Sequence, residues 1–399
     1  MNNLLKTSLH QTHINSKAKL VPFAGWEMPI QYSSILSECK AVRNQSGIFD
    51  VSHMGRFYIS GNDASLALDK ILSVNPFIIE EGQGKYNVIC NQNGGIIDDA
   101  IVYKINDKKF LLIPNASNAD TIHEWIIDNT KELNFNINVV TKNTAMIALQ
   151  GPTSTTILNN IFSELPKIRR FRFIQTKYKD KNVIIARTGY TGENGFEIIL
   201  DNDISQNFWE LLLKNGATEC GLGARDVLRL EAALALHGNE ITVKTNPFEA
   251  QLSRFVELDR ENYIVNNTLN NIKSQELSKK LIGFEIQGRK IARSHNIIKD
   301  DNNNIIGEVT SGTYSPTLNK SIGLEDKLLE LKLRQLGLPQ NHKGITEKEL
   351  FRLSSYMRNP KKPGRKSMIE INPKAVNLAK TLYDAGMTLE DTALFLDIK

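Results

Sequence analysis

The sequence is poor in cysteine and has no long apolar run. Its three cysteines, Cys39, Cys90 and Cys220, are widely spaced and form no Cys-x-x-Cys pair. This odd, scattered set excludes a disulfide framework and a cysteine-based zinc site, and it predicts a reducing, cytoplasmic location. No window approaches eighteen uninterrupted apolar residues, which excludes a membrane-spanning helix. The first residues have neither an apolar nor an arginine-rich targeting segment, so we expect an untargeted chain.

What the sequence does contain is a globular mixture with an uneven distribution of charge. Of 399 residues, 41% are hydrophobic and 23% are charged, and this length predicts two or three domains. The formal net charge of +5 arises from residues 326–399, which hold 14 Lys and Arg against 9 Asp and Glu. The rest of the chain is neutral. Such asymmetry indicates two parts with different origins or partners.

Strand-like and helix-like patterns alternate through residues 1–325, which predicts a mixed α+β fold. Runs rich in β-branched and aromatic residues predict strands at 56–60, 101–103, 110–113, 182–186 and 196–200. Apolar spacing predicts helices at 63–72 (with Asp63 as its cap), 117–130, 205–215 and 223–238, where Gly238 would end the helix. From residue 281 short strands and turns predict a small β-barrel, and the next helix is predicted at 326–336.

Two glycines and two acids follow one another in Gly94-Gly-Ile-Ile-Asp98-Asp99. The glycines allow a sharp turn before a strand, and neighbouring residues of a strand face opposite sides. We therefore expect at most one of the two acids to face a given pocket. The motif fits a hairpin turn with solvated acids as well as a carboxylate directed at an amine or a cationic intermediate.

A glycine-rich loop places Tyr190 and Glu197 at its two ends. A tyrosine offers a stacking face, and an ionised glutamate can accept two parallel hydrogen bonds. That is the pattern which a 2-amino-4-oxo heterocycle presents through its ring N–H and its amino group. An ordinary β-hairpin with a surface glutamate explains the loop equally well.

Charged residues interrupt the apolar pattern of the helix predicted at 223–238. They are Arg225, Arg229 and Glu231. A solvated helix face would account for them without any function. If the helix is buried, however, each of these side chains needs a partner, because an unpaired buried charge is strongly unfavourable.

Taken together, these segments resemble the aminomethyltransferase (T-protein) family of the glycine cleavage system over residues 5–323. The resemblance includes Phe23-Ala-Gly-Trp26-Glu-Met-Pro, Gly47-Ile-Phe-Asp50-Val-Ser-His53-Met54-Gly and Gly307-Glu-Val-Thr-Ser-Gly-Thr-Tyr-Ser-Pro316. It implies a multidomain ring of two ferredoxin-like α/β sandwich domains and a β-barrel. The corresponding ranges are 1–50 with 145–245 for the discontinuous, folate-binding first domain, 51–144 for the inserted second domain with the catalytic acid, and 246–324 for the barrel.

The resemblance also implies a reaction and its residues. An aminomethyl group on the lipoyl arm of a carrier, the H-protein, would pass its one-carbon unit to tetrahydrofolate with release of ammonia. Asp99 falls on the catalytic acid, whereas Asp98, on the opposite strand face, is expected to have no part. The implied folate-binding positions are Tyr86, Asn115, Tyr190, Glu197 and Arg229, and the implied mouth of the site holds Arg293. No metal is implied, and His53, His237 and His295 are expected to be structural.

The resemblance stops at Ile322-Gly323-Leu324, so the barrel is predicted to be incomplete and to be followed by a basic helical tail, 325–399. The tail resembles the basic arm and the beginning of the helix-turn-helix unit of resolvase-type recombinases. A solvated helical pair explains it equally well, with weak, non-specific nucleic-acid binding through 358–380 as the alternative. Two function classes therefore stay open: a folate-dependent aminomethyltransferase, and an inactive truncated or chimeric folate-binding module with an interaction tail.

Overall fold

The computed structural model describes residues 4–162, 165–288, 290–301 and 303–328. The chain forms two compact units. Of the described residues, the first unit comprises those up to Leu228 together with Leu236–Leu277, and the second comprises Arg229–Ala235 and those from Ser278 onward. Helices and several sheets are both present, which confirms the α+β fold. The ring and the three-domain division stay predictions, and the predicted basic arm and helix-turn-helix of the tail lie outside the described residues.

The elements are numbered in chain order. The strands are β1 (Lys19–Phe23), β2 (Trp26–Gln31), β3 (Gly47–Asp50), β4 (Phe57–Ser60), β5 (Gly84–Cys90), β6 (Ile96–Asn106), β7 (Lys109–Ile113), β8 (Asn136–Val139), β9 (Thr144–Gln150), β10 (Phe173–Tyr178), β11 (Lys181–Ala186), β12 (Gly195–Asp201), β13 (Thr218–Glu219), β14 (Lys279–Ile286), β15 (Ile297–Lys299), β16 (Ile305–Ser315) and β17 (Lys320–Leu328). The α-helices are α1 (His10–Asn15), α2 (Ile35–Asn44), α3 (Ala64–Ile71), α4 (Ala119–Asn129), α5 (Ser154–Ile161), α6 (Asn202–Lys214), α7 (Leu222–Glu231) and α8 (Asn266–Ser274). Short 3-10 helices lie at Pro76–Ile78, Ala116–Asn118 and Ser253–Phe255. No helix in the described part of the chain has the length and apolar character needed to cross a membrane.

A six-stranded sheet in the first unit has the order β10-β11-β12-β9-β3-β13. Its strands are antiparallel except for the parallel pair β3 and β13. Because side chains alternate along a strand, Ile147 and Leu149 pack on one side with α5 and α6, while Met146 and Ala148 pack on the other with α2 and α7. Helices therefore cover both faces, and α7 is held against the sheet.

A five-stranded antiparallel sheet of the first unit has the order β5-β6-β7-β4-β8. One face packs on α3 and α4, where Leu68 and Ile126 are buried. The opposite face contributes Tyr103, Leu111 and Ile113 to the same apolar layer that contains α2 and α7. The two larger sheets of this unit are thus joined by one continuous core, which fixes β5 and β6 relative to β12 and α7.

The second unit is built on a four-stranded antiparallel sheet with the order β14-β17-β16-β15. The helix predicted from Asp326 is wrong at its start, because Asp326 and Lys327 belong to β17 and pair with β14 on one side and β16 on the other. Lys279 Nζ also lies 2.6 Å from Asp326 Oδ2. Ladder hydrogen bonds from two neighbours outweigh the helical spacing of the leucines that follow. The β-structure consequently continues past its predicted end at residue 324.

Two further predictions about helix ends are corrected. α7 ends at Glu231, well before Gly238, because Ala233 is in the left-handed region (φ 54°) and Leu234 N donates to Arg229 O at 2.9 Å. Asp63 precedes α3 but does not cap it: its carboxylate accepts a hydrogen bond from Asn134 N at 2.7 Å. The deciding contact is local at the end of α7, whereas at Asp63 it comes from a residue far along the chain.

Candidate active site

The turn before β6 is held by a close approach of two backbone segments. Asn91 N donates to Gly95 O at 2.8 Å, and Gly94 N donates back to Asn91 O at 2.9 Å. A Cβ atom on Gly95 would lie 1.8 Å from Val243 O, so no side chain fits there. This turn places the two acids of the Gly-Gly-x-x-Asp-Asp segment at the beginning of β6.

Asp99 contacts the predicted site residue Tyr86 directly. The hydroxyl of Tyr86 donates to Asp99 Oδ2 at 2.9 Å, and the Tyr86 ring packs edge-on against Phe255 with 4.6 Å between ring centroids. Burial, together with the negative charge of Asp99, raises the pKa of Tyr86 well above its usual value. Tyr86 therefore stays protonated and acts as a hydrogen-bond donor to the carboxylate.

Asn115 donates hydrogen bonds to both acids, and the expectation that at most one of them faces a given pocket stays a prediction. Its Nδ2 donates to Asp98 Oδ1 and to Asp99 Oδ1, each at 2.8 Å. Its backbone N donates to Asp98 Oδ2 at 2.8 Å, and Asn118 Nδ2 adds a bond to Asp98 Oδ1 at 2.6 Å. Neighbouring side chains of a strand do leave the backbone in opposite directions, but one amide beside the strand end is long enough to reach both carboxyl groups.

The same cluster raises the proton affinity of both acids. Burial raises the pKa of Asp98, and the adjacent charge of Asp99 adds to this, against the hydrogen bonds from the two asparagines. Burial also raises the pKa of Asp99, against the Tyr86 hydrogen bond and the charge of His237. Such shifts are typical of carboxyl groups that exchange protons near neutral pH.

Glu197 lies on β12 in a buried environment. Thr188 Oγ1 donates to Glu197 Oε2 at 2.5 Å, and the Tyr103 hydroxyl lies 2.9 Å from the same threonine oxygen. Burial raises the pKa of Glu197, while the Thr188 hydrogen bond and the charge of Arg225 act in the opposite direction. A ligand with N–H donors would stabilise the ionised glutamate further.

Arg225 is the functional candidate that the sequence reasoning did not select. Its guanidinium lies over the ring of Tyr190, 4.7 Å from the centroid, and interacts electrostatically with Glu197. Its Nη1 is buried and has no hydrogen-bond partner among the described residues. Burial lowers the pKa of Arg225. Buried polar atoms are almost always paired in folded proteins, so this donor indicates a place for a ligand or water.

Arg229, which was predicted to bind folate, donates its hydrogen bonds within the second unit. Its Nη2 donates to Ser311 Oγ at 2.8 Å and its Nη1 to Leu234 O at 3.2 Å. The side chain is buried. These contacts tie the end of α7 to the sheet of that unit, and the assignment of Arg229 to the folate site stays a prediction. Arg225 and Arg229 are one helical turn apart, so sequence alone could not choose between them.

The remaining predicted residues are less informative. Arg293 is exposed and its Nη1 donates to Gly312 O at 3.4 Å, so its place at the mouth of a site stays a prediction. His237 Nε2 lies 3.3 Å from Ile96 O, and the exposed His295 pairs with a glutamate. His53 is buried, and burial lowers its pKa to about 3, so its ring is neutral. Its ring meets Phe23 edge-on.

Comparison with known proteins gives the same family along most of the chain. The family described as the GCVT N-terminal domain matches residues 9–260, and the glycine cleavage T-protein C-terminal barrel domain matches residues 279–324. The chain belongs to the glycine cleavage T-protein family. It is 41% identical over 343 residues to the aminomethyltransferase of Caldanaerobacter subterraneus subsp. tengcongensis, with 84% of this chain and 91% of that protein covered.

Other members of the family agree with this assignment. The aminomethyltransferase of Halothermothrix orenii is 43% identical over 324 residues, covering 80% of this chain and 90% of the relative. The crystal structure of the glycine cleavage system aminomethyltransferase T from Bartonella henselae superposes with a TM-score of 0.78 at 30% identity, covering 82% and 90% of the two chains. The predicted family and the multidomain α+β fold are confirmed. The protein is an enzyme, a transferase that moves aminomethyl groups in glycine cleavage.

Proposed function

We propose that this T-protein family member transfers the one-carbon unit of an aminomethyl group from the lipoyl arm of an H-protein to tetrahydrofolate. The carbon leaves the carrier sulfur and its own amino nitrogen, and it forms bonds to N5 and N10 of the folate. The two N–H protons of the folate end on the carrier thiol and on ammonia. No oxidant or reductant is needed, so the protein's tasks are positioning and proton transfer.

Asp99 is the group that suits the proton transfer. It is half-buried, hydrogen-bonded to Tyr86 and Asn115, and its pKa is raised by burial. As a carboxylate it stabilises a cationic iminium stage, and as an acid it supplies the proton that the leaving nitrogen requires. A neutral side chain of the same shape could do neither.

Glu197, Tyr190 and Arg225 suit the pterin ring of the folate. The observation that carries this assignment is the buried, unpartnered Nη1 of Arg225 beside an acidic and an aromatic side chain in the described part of the first unit. Pterin offers a carbonyl oxygen for the arginine, N–H donors for the glutamate and a flat ring for the tyrosine. Arg225 thus takes the role that the sequence analysis gave to Arg229.

Calorimetry with tetrahydrofolate tests this site directly. We expect saturable binding to the full chain and an affinity about 10- to 100-fold lower for Glu197→Gln, since one amide cannot accept two parallel hydrogen bonds. Glu210→Gln is the matched control, because Glu210 is exposed on α6, where it accepts a hydrogen bond from Gln206. Equal affinities for the wild type and Glu197→Gln would contradict the proposal.

The alternative of an inactive module with an interaction tail receives no support from the comparisons. Nucleic-acid binding through 358–380 concerns residues outside the described part of the chain.

The cysteines that the structure describes are all free and buried. The cytoplasmic location stays a prediction.

A further inference from the structure

Asp98 is a buried acid to which the proposed reaction gives no task. Its side chain is completely buried, although it lies next to the residue that handles protons. Three hydrogen bonds hold it: two from Asn115, through the backbone N and Nδ2, and one from Asn118. Burying a carboxyl group is unfavourable unless it is hydrogen-bonded, and these three bonds meet that requirement.

The two contacts between Asp98 and Asn115 indicate what Asp98 does for the site. Asp98 binds the asparagine at two points, the backbone N and the side-chain Nδ2, so both the position and the rotamer of Asn115 are fixed. The same Nδ2 then reaches Asp99 Oδ1 at 2.8 Å and Asp99 O at 3.0 Å. Without Asp98 the amide would be free to rotate away from Asp99.

The shared amide also limits the separation of the two carboxyl groups. Because Asp98 Oδ1 and Asp99 Oδ1 each lie 2.8 Å from the same nitrogen, they are at most twice that distance apart. Two ionisable side chains face Asp99: Tyr86 of β5, through a hydrogen bond, and His237 of the segment after α7, through its charge. Arg254 interacts electrostatically with Tyr86. Two neighbouring carboxyl groups within this distance, one of them fully buried, favour one shared proton over two full negative charges.

We propose that Asp98 is a positioning residue that holds Asn115 against Asp99 and shares a single proton with it at neutral pH. The inference rests on the proposed function only in taking Asp99 as the group that exchanges protons with the reactants. The two carboxyl groups together hold one proton and one negative charge. The proton is available to the reacting nitrogen, and the negative charge stabilises the cationic carbon. Asp98 itself touches no reactant.

Infrared difference spectroscopy on the full chain without ligand tests the shared proton. We expect a component of the protonated-carboxyl C=O band at pH 7, separate from that of Glu325, that the Asp98→Asn and Asp99→Asn variants both lose or shift to a midpoint lower by about one pH unit or more. Asp120→Asn, an exposed acid in the first turn of α4, should leave the band unchanged. A wild type without such a band, or a band unaffected by Asp98→Asn, would overturn the proposal.

The pH profile of turnover tests the positioning role. In Asp98→Asn we expect tetrahydrofolate affinity within about twofold of the wild type, a kcat about 10- to 100-fold lower at its optimum, and a pH profile displaced to lower pH. Loss by the same factor at every pH would mean that Asp98 is merely structural, and the proposal would be wrong. If the wild type makes no methylenetetrahydrofolate, the proposed function fails, while the infrared result still decides on the shared proton.

Discussion

Arg225 and Arg229 lie one turn apart on α7, yet their surroundings are opposite in kind. Arg229 donates to Ser311 and Leu234 in the second unit. Arg225, in the first unit, stacks on Tyr190 and keeps a buried Nη1 without a hydrogen-bond partner among the described residues. A cation whose donors are used supports the fold, whereas a cation with an unused buried donor is a candidate for binding.

The same contrast separates two acids, the buried Glu231 and the half-buried Asp99. Glu231 accepts hydrogen bonds from Ser315 Oγ at 2.5 Å and from Thr317 Oγ1 at 2.9 Å, which fastens the end of α7 within the second unit. Asp99 instead shares one donor, Asn115 Nδ2, with a second carboxyl group, and its pKa is raised by burial. We therefore expect substitutions of Arg229 and Glu231 to lower stability, and substitutions of Arg225 and Asp99 to impair binding or chemistry.

The largest expected effect is on turnover. Asp99→Asn should lower kcat by about 10²- to 10⁴-fold, because the amide neither carries a negative charge nor releases a proton. Its tetrahydrofolate affinity and its unfolding midpoint should stay close to those of the wild type. The measurement is methylenetetrahydrofolate formation from an aminomethylated carrier. A variant that retains more than about a tenth of the activity would remove Asp99 from the chemistry.

The next effect is on stability and concerns Arg229. Arg229→Met should lower the free energy of unfolding by about 2–5 kcal/mol, because it leaves Ser311 and Leu234 O buried with lost donors. Denaturant unfolding of the full chain measures this loss. If the variant instead keeps its stability but fails to bind tetrahydrofolate, Arg229 is the binding residue and the comparison with Arg225 is reversed.

Arg225→Met should show the complementary result. We expect tetrahydrofolate affinity to fall about 10- to 100-fold, since a charged donor is lost, with a change in stability below about 1 kcal/mol. Arg225→Lys keeps the charge without the planar fork and should recover only part of the affinity. Calorimetry and denaturant unfolding on the same samples separate the two effects. A strongly destabilised Arg225→Met would show that its unpartnered donor carries no functional meaning.

The smallest effect concerns Glu325, a buried acid on β17 of the second unit. Burial raises its pKa to about 7, so the folded state holds the proton more tightly than the unfolded state does. Its contribution to stability is complete below the ordinary pKa and is lost as the pH rises through 7. Glu325→Gln should therefore be more stable than the wild type by about 1–2 kcal/mol at pH 8 and similar to it at pH 5. The check is thermal unfolding at both pH values, with Glu308→Gln, which is exposed on β16, as the control.

The sequence was most informative where local patterns decide the structure. Strands at β4, β7, β11 and β12 follow the predicted runs because β-branched and aromatic residues favour extended backbone, and β7, β11 and β12 bury nearly continuous apolar runs. It failed where individual backbone conformations and particular contacts decide. The end of α7 depends on a left-handed Ala233 beside a buried arginine, and the strand at Asp326 depends on two neighbours. The choice between Arg225 and Arg229 depends on hydrogen-bond partners, which no spacing reveals.

The order of strands in the first unit has a consequence for the order of folding during synthesis. All strands of the five-stranded sheet lie between Phe57 and Val139, so that sheet has its complete set of strands soon after residue 139 leaves the ribosome. The strand β3, in contrast, pairs with β9 and with Thr218–Glu219 of β13. Although β3 is synthesised before the five-stranded sheet, it has to wait for partners that emerge much later. Such distant pairings slow folding, so a pause in translation after residue 139 would favour the five-stranded sheet while leaving β3 exposed to wrong partners.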